Sequence, residues 1–125
     1  MRPISTDQAP GPRGHYSQAI VHNGLVFTAG QLPIDPATGA VAGESIEEQT
    51  QQVLENVAAV LSAAGATLES VIKVTVYVPD MALWSGLNEV YAKFFGDHKP
   101  ARSVVPTRAL HQDVKIEVDV VAAVG

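Results

Sequence analysis

Residues 45–78 restrict the possible folds more than any other stretch. Ser45-Ile46-Glu47-Glu48 has the form of a capping box, in which a serine hydroxyl accepts an orphan helix amide and a glutamate three residues on reaches back. Ile46, Val53, Leu54, Val57, Val60, Leu61 and Ala64 then recur at helical spacing, and Gly65 suits the helix C-terminus. SVIKVTVYVPD follows, with Val71, Lys73, Thr75 and Tyr77 alternating against Ile72, Val74, Val76 and Val78, and Pro79 closes that strand. The pattern then repeats. Asp80 is placed to cap a helix over roughly 81–95, with Leu83, Trp84, Leu87, Val90, Tyr91 and Phe94 inward, and a strand near 101–106 follows the loop GDHKP. Upstream, HYSQAIVHNGLVFTAGQLP reads as two strands around Asn23-Gly24, a dipeptide suited to the positive φ angles of a tight hairpin. Downstream, DVKIEVDVVAAV is a final long strand.

The order β-β-α-β-α-β-β predicts an α+β domain, one mixed sheet with two helices on one face. Two helices cannot cover both faces. The uncovered face still carries Val, Ile and Tyr, so a homo-oligomer is expected. The whole chain, 1–125, reads as a single domain, with residues 1–14 an irregular N-terminal arm because they hold three prolines, two glycines and no periodicity.

Composition removes several classes of function. A formal net charge of −5 lacks the clustered Lys and Arg that grip a phosphate backbone, so no nucleic-acid partner is expected. With no cysteine there is no disulfide, thiolate nucleophile or cysteine-based metal site. His15, His22, His98 and His111 have no paired ligand spacing, so no metal site is expected. The N-terminus shows no apolar targeting segment, and no window approaches the roughly 18 apolar residues of a membrane span. A cytoplasmic location without membrane partners is the expectation.

Two residues stand out chemically. Arg102 opens the strand at 101–106, two residues after Pro100. It is either an exposed arginine snorkelling from the surface or a planar fork able to bind a carboxylate through two hydrogen bonds. Glu117 lies midway along an apolar strand, opposite in phase to Ile116 and Val118. It is either a solvated-face residue or a positioned acid–base, and Asp119 shares its face, so joint burial would raise one carboxyl pKa. Gly30 ends a strand with bare backbone amides, and Tyr16 heads the preceding strand as an amphipathic edge residue or a ligand contact.

Taken together, Tyr16-Ser17-Gln18-Ala19, Thr28-Ala29-Gly30-Gln31-Leu32-Pro33, the helix with Gln49, Leu54 and Asn56, Val74-Thr75-Val76-Tyr77, Asn88-Glu89-Val90-Tyr91, Pro100-Ala101-Arg102-Ser103 and Val114-Lys115-Ile116-Glu117 resemble the RidA (YjgF) family. The resemblance implies a chorismate-mutase-like fold and a homotrimer, its sheets forming a central β-barrel with pockets at the three subunit interfaces. It also implies cofactor-free hydrolysis of reactive 2-enamines and 2-imines released by pyridoxal-phosphate enzymes, as in a 2-iminobutanoate/2-iminopropanoate deaminase. The products are 2-oxo acids and ammonia. By the same resemblance Arg102 grips the substrate carboxylate and Glu117 positions the attacking water. Gly30 supplies a backbone contact, Tyr16 an aromatic wall from across the interface, and Asn88 a further substrate contact. Ala29 stands where the family often has serine, and Val104 where it has cysteine; both belong to the implied binding set and bear on substrate preference. Two other roles occur in the superfamily: a pathway-specialised deaminase or small-carboxylate-binding relative, and an endoribonuclease or translation inhibitor, which the acidic charge disfavours.

Overall fold

The sheet begins earlier than the proline-rich start predicts. In the computed structural model, which covers residues 1–125, β1 (Arg2–Ile4) pairs antiparallel with β2 (Ala19–His22), Ile4 lying opposite Ala19. The expectation of an arm irregular from residue 1 is thereby corrected. The cause is a tertiary anchor. The buried Gln18 side chain accepts the Thr6 N–H at 2.7 Å and donates to the Thr6 and Pro10 carbonyls at 3.0 and 2.9 Å. Ile4 and Ala9 enter the core on either side of that anchor. Of the first fourteen residues, 5–14 are free of helix and strand.

Asn23 and Gly24, at φ of 51° and 75°, turn β2 into β3 (Leu25–Thr28). The capping box forms as expected: Ser45 Oγ accepts the Glu48 N–H at 3.0 Å, and the Glu48 carboxylate accepts the Ser45 N–H at 3.3 Å. Those bonds favour the ionised form and hold the Glu48 carboxyl below its usual range. The helix they start, α1, runs Ile46–Ala63, and β4 spans Val71–Val78. A bulge between Val71 and Lys73 breaks the plain alternation. It sends Val71 into the core and leaves Ile72 49% exposed, the reverse of the strand's simple phase.

Asp80 caps a short 3₁₀ turn by accepting the Ala82 N–H at 2.9 Å. The α-helix proper, α2, then runs Trp84–Phe95. The turn shifts the helical phase, so Leu87, Tyr91 and Phe95 are buried while Trp84, expected inward, is 40% exposed. β5 (Ala101–Pro106) lies parallel to β4. The last strand, β6, spans Glu117–Ala123 and starts later than expected. The delay comes from a 3₁₀ turn at His111–Asp113, within which Gln112 and Asp113 take left-handed φ of 57° and 53°.

The strand order is β1-β2-β3-β6-β4-β5, a mixed sheet of six strands with β1 and β5 at its edges. One face, with Val26, Val74, Val76, Val118 and Val120, is buried beneath Val53, Leu54, Val57, Val60, Leu61 and Leu87 of the two helices. The other carries Phe27, Thr75, Tyr77, Glu117, Asp119 and Val121 under no helix, and Phe27 is 45% exposed there. No helix is long and apolar enough to cross a membrane.

One buried amide fastens the segment after β3 beneath α1. Asn56 donates to the carbonyls of Leu32 and Ile34, each at 2.9 Å, and accepts from Gln52. Replacing it by alanine leaves the buried Ile34 carbonyl without a donor, while the Leu32 carbonyl keeps the Ile34 N–H at 2.8 Å. Asn56→Ala should therefore cost about 2 kcal/mol, since an orphaned buried acceptor costs about 1–3 kcal/mol. Urea denaturation should show a lower midpoint with an unchanged slope; an unshifted midpoint would mean water replaces the amide.

Candidate substrate site

Arg102 is held by α2. On edge strand β5 it lies opposite Val74, which is buried beneath the helices, so its side chain rises on the helix-covered side of the sheet. Its Nη1 donates to Asn88 Oδ1 at 2.9 Å, and its guanidinium carbon sits 4.6 Å from the Tyr91 ring centroid and 5.8 Å from that of Trp84. Two aromatic faces and one amide thus fix the plane of the fork. The chain's single ion pair is Lys93–Glu89, so Arg102 has no carboxylate partner of its own. Around it lies a cavity of about 380 Å³ lined by Asn88, Tyr91, His98, Lys99 and Pro100 among others. Burial pushes the Tyr91 phenol pKa up, with Arg102 partly offsetting it, and the buried hydroxyl has no hydrogen-bond partner. Sequence reasoning placed Trp84 and Tyr91 in the core. Instead both rings face Arg102, from positions 84, 88 and 91 on one side of the helix, a spacing that a core-packing side shares.

Glu117 is set by a different part of the sheet. It opens β6 on the uncovered face, opposite Tyr77, whose hydroxyl donates to Asp119 at 3.0 Å. Gln31 and Val118 exchange backbone hydrogen bonds of 2.7 and 3.1 Å, which brings Gly30 directly over the carboxylate. A Cβ at Gly30 would collide with Glu117 Oε2, so only glycine leaves the carboxylate where it is. Burial pushes the Glu117 carboxyl above its usual range, and Asp119 adds to the rise; His111 partly offsets both. A carboxyl raised in this way is a stronger base when ionised and is suited to accept and return a proton. A second cavity of about 380 Å³ joins Glu117 to Tyr16, Ala29, Gly30, Arg13 and His111.

The seven residues expected at the site therefore fall into groups. Arg102 and Asn88 share one cavity; Tyr16, Ala29, Gly30 and Glu117 share the other. Val104, half-buried on β5 opposite Val76, lines neither. Arg102 and Glu117 emerge on opposite faces of the same sheet, and within one copy of the chain they open into separate cavities.

The family model of endoribonuclease L-PSP matches residues 6–124. The chain belongs to this family, the YjgF/RidA group. Within the family, a RutC family protein of Pyrococcus horikoshii is 52% identical over 119 residues, covering 95% of this chain and 94% of its own. Reactive Intermediate Deaminase A, chloroplastic, of Arabidopsis thaliana is 45% identical over 119 residues, covering 95% of this chain and 64% of its own. The crystal structure of E. coli TdcF with bound serine superposes with a TM-score of 0.95 at 38% identity, covering 100% of both chains. The mixed six-stranded sheet with two helices is thus the family's α+β fold.

Proposed function

We propose that this protein hydrolyses reactive 2-imino acids, and the 2-enamino acids in equilibrium with them, to 2-oxo acids and ammonia without a cofactor. The observation that carries this reading is Arg102: a guanidinium aligned by Asn88 and Tyr91, without an anionic partner. A planar fork of that kind takes a carboxylate through two charge-assisted hydrogen bonds. The deaminase name of the Arabidopsis relative and the serine bound to TdcF support a small 2-amino-acid-like ligand.

The active unit is a homotrimer in which the uncovered sheet faces line a central barrel. Arg102 of one subunit there meets Glu117 of the next, since within one copy the sheet lies between them. Arg102 holds the substrate carboxylate, which sets C2 at a fixed distance from a water on Glu117. Glu117 takes a proton as the water oxygen bonds to C2 and passes it to the imine nitrogen, giving a carbinolamine with a C2 hydroxyl and an amine. The C2 hydroxyl proton then moves through Glu117 to the amine as the C2–N bond breaks, so ammonia leaves and the C2 carbonyl of the 2-oxo acid remains. Gly30 and Val104 contribute backbone contacts, Asn88 aligns the arginine and meets the substrate, and Tyr16 and Ala29 form the wall. Imines of this kind arise in the cytoplasm beside pyridoxal-phosphate enzymes, and we place the protein there. The endoribonuclease in the family's description is the weaker reading here: the chain's charge of −5 opposes a polyanion.

Assembly and ligand class are tested together. Light scattering at micromolar concentration should give about three times the 13.2 kDa chain mass. Calorimetry should detect 2-oxobutanoate as a product analogue and not its amide. A monomer mass removes the shared site; equal affinity for acid and amide removes the role of Arg102.

A further inference from the structure

Arg13 and His111 share the Glu117 cavity, yet the reaction above uses neither. Arg13 Nη2 makes a single contact, to the Gly39 carbonyl at 3.4 Å, near the outer limit for a hydrogen bond, and the guanidinium has no carboxylate partner. Its backbone N–H donates to the Tyr16 hydroxyl at 3.4 Å, which ties residue 13 to the wall of the cavity. His111 reaches the same space from the 3₁₀ turn held by left-handed Gln112 and Asp113. Of the two glutamines lining the cavity, Gln18 is already saturated by the N-terminal arm and Gln31 donates to the Ala29 carbonyl at 3.4 Å. Leu32 and Ile34 supply apolar wall.

Size points the same way as charge. Pockets of roughly 300–1,000 Å³ hold drug-sized ligands, and this one, at about 380 Å³, exceeds what a four-carbon imine needs. In the shared site proposed above, a substrate with C1 on Arg102 and C2 at Glu117 would extend into this space toward Arg13 and His111.

We infer that the site prefers 2-imino dicarboxylates, the imines formed by oxidising acidic amino acids, with Arg13 binding the distal carboxylate and His111 beside it. The inference rests on the deaminase reading for its reaction, which is unchanged: the same water addition and the same loss of ammonia. Arg13 acts on specificity and takes no part in bond making.

The test is calorimetric. 2-Oxoglutarate and 2-oxopentanoate have equal chain length and differ in the distal carboxylate alone. Wild-type protein should bind 2-oxoglutarate about tenfold more tightly, as one charge-assisted hydrogen-bonded contact allows. In Arg13→Gln, an exposed change that leaves the core intact, the ratio should fall close to one, and His111→Gln should lower it by less. Imines generated by an amino-acid oxidase from glutamate and norvaline should show the same ordering in kcat/KM. Equal binding of the two acids by wild-type protein, or a ratio untouched by Arg13→Gln, overturns the inference and leaves the deaminase reading standing. Failure of both acids to bind sinks the carboxylate role of Arg102, and this inference with it.

Discussion

Arg102→Lys should lower kcat/KM on 2-iminobutanoate by about 10³-fold while the trimer persists. The charge is kept, so a simple electrostatic role predicts little change. The loss comes from geometry. Lysine cannot donate to Asn88, lie over Tyr91 and present two parallel N–H groups to a carboxylate at once. Losing one charge-assisted hydrogen bond costs about 1.5–3 kcal/mol, roughly tenfold or more. A misplacement of about 1 Å at C2 costs about another 10². Arg102→Ala should be worse still. Steady-state kinetics with light scattering on the same sample checks this, and a lysine variant at full kcat/KM would reduce Arg102 to a surface cation.

Glu117→Gln should lose about 10²–10⁴-fold in rate, the usual worth of general acid–base catalysis, while still binding 2-oxobutanoate. The pH dependence has a defined sign. Burial and Asp119 raise the folded-state pKa of Glu117 above its unfolded value. Its stability contribution is therefore fully present below the unfolded pKa and is lost as pH rises through the folded one. At neutral pH the ionised carboxylate is a cost to the fold, so Glu117→Gln should be at least as stable as wild type there. Activity runs in the opposite direction, because the base must be ionised. The acid limb of kcat/KM should lie above the usual carboxylate range, and Asp119→Asn should move it down by removing the neighbouring charge. An acid limb that Asp119→Asn leaves in place would assign the titration to another group.

Local signals in the sequence specified most of the fold. The capping box at Ser45, the Asn-Gly turn and the two strand–helix–strand runs each depend on neighbours a few residues apart, and each forms as its chemistry requires. What escaped depends on distant partners. β1 exists because Gln18, more than ten residues away in the chain, satisfies the arm's backbone. The bulge that exchanges Val71 for Ile72 reflects pairing with β6, which no alternation rule contains. At the site, the identity and phase of Glu117 and Asp119 were legible because strand periodicity puts them on one face. The aromatic clamp on Arg102 was not, because a helix side that packs a guanidinium reads like one that packs a core. The division of the site between two sheet faces follows from the register opposite Val74 and Tyr77, and register is a property of the assembled sheet.

The central claim, water addition to a bound imine, is tested most directly by competition. A threonine dehydratase releases 2-iminobutanoate, and semicarbazide traps it as a semicarbazone that absorbs in the ultraviolet. Added wild-type protein should divert the imine to 2-oxobutanoate and slow semicarbazone formation in proportion to its concentration, with Glu117→Gln reducing that effect by about 10²–10⁴-fold. Semicarbazone formation that stays unchanged as wild-type protein is added would contradict the account, leaving Arg102 and Glu117 as a binding site without a reaction.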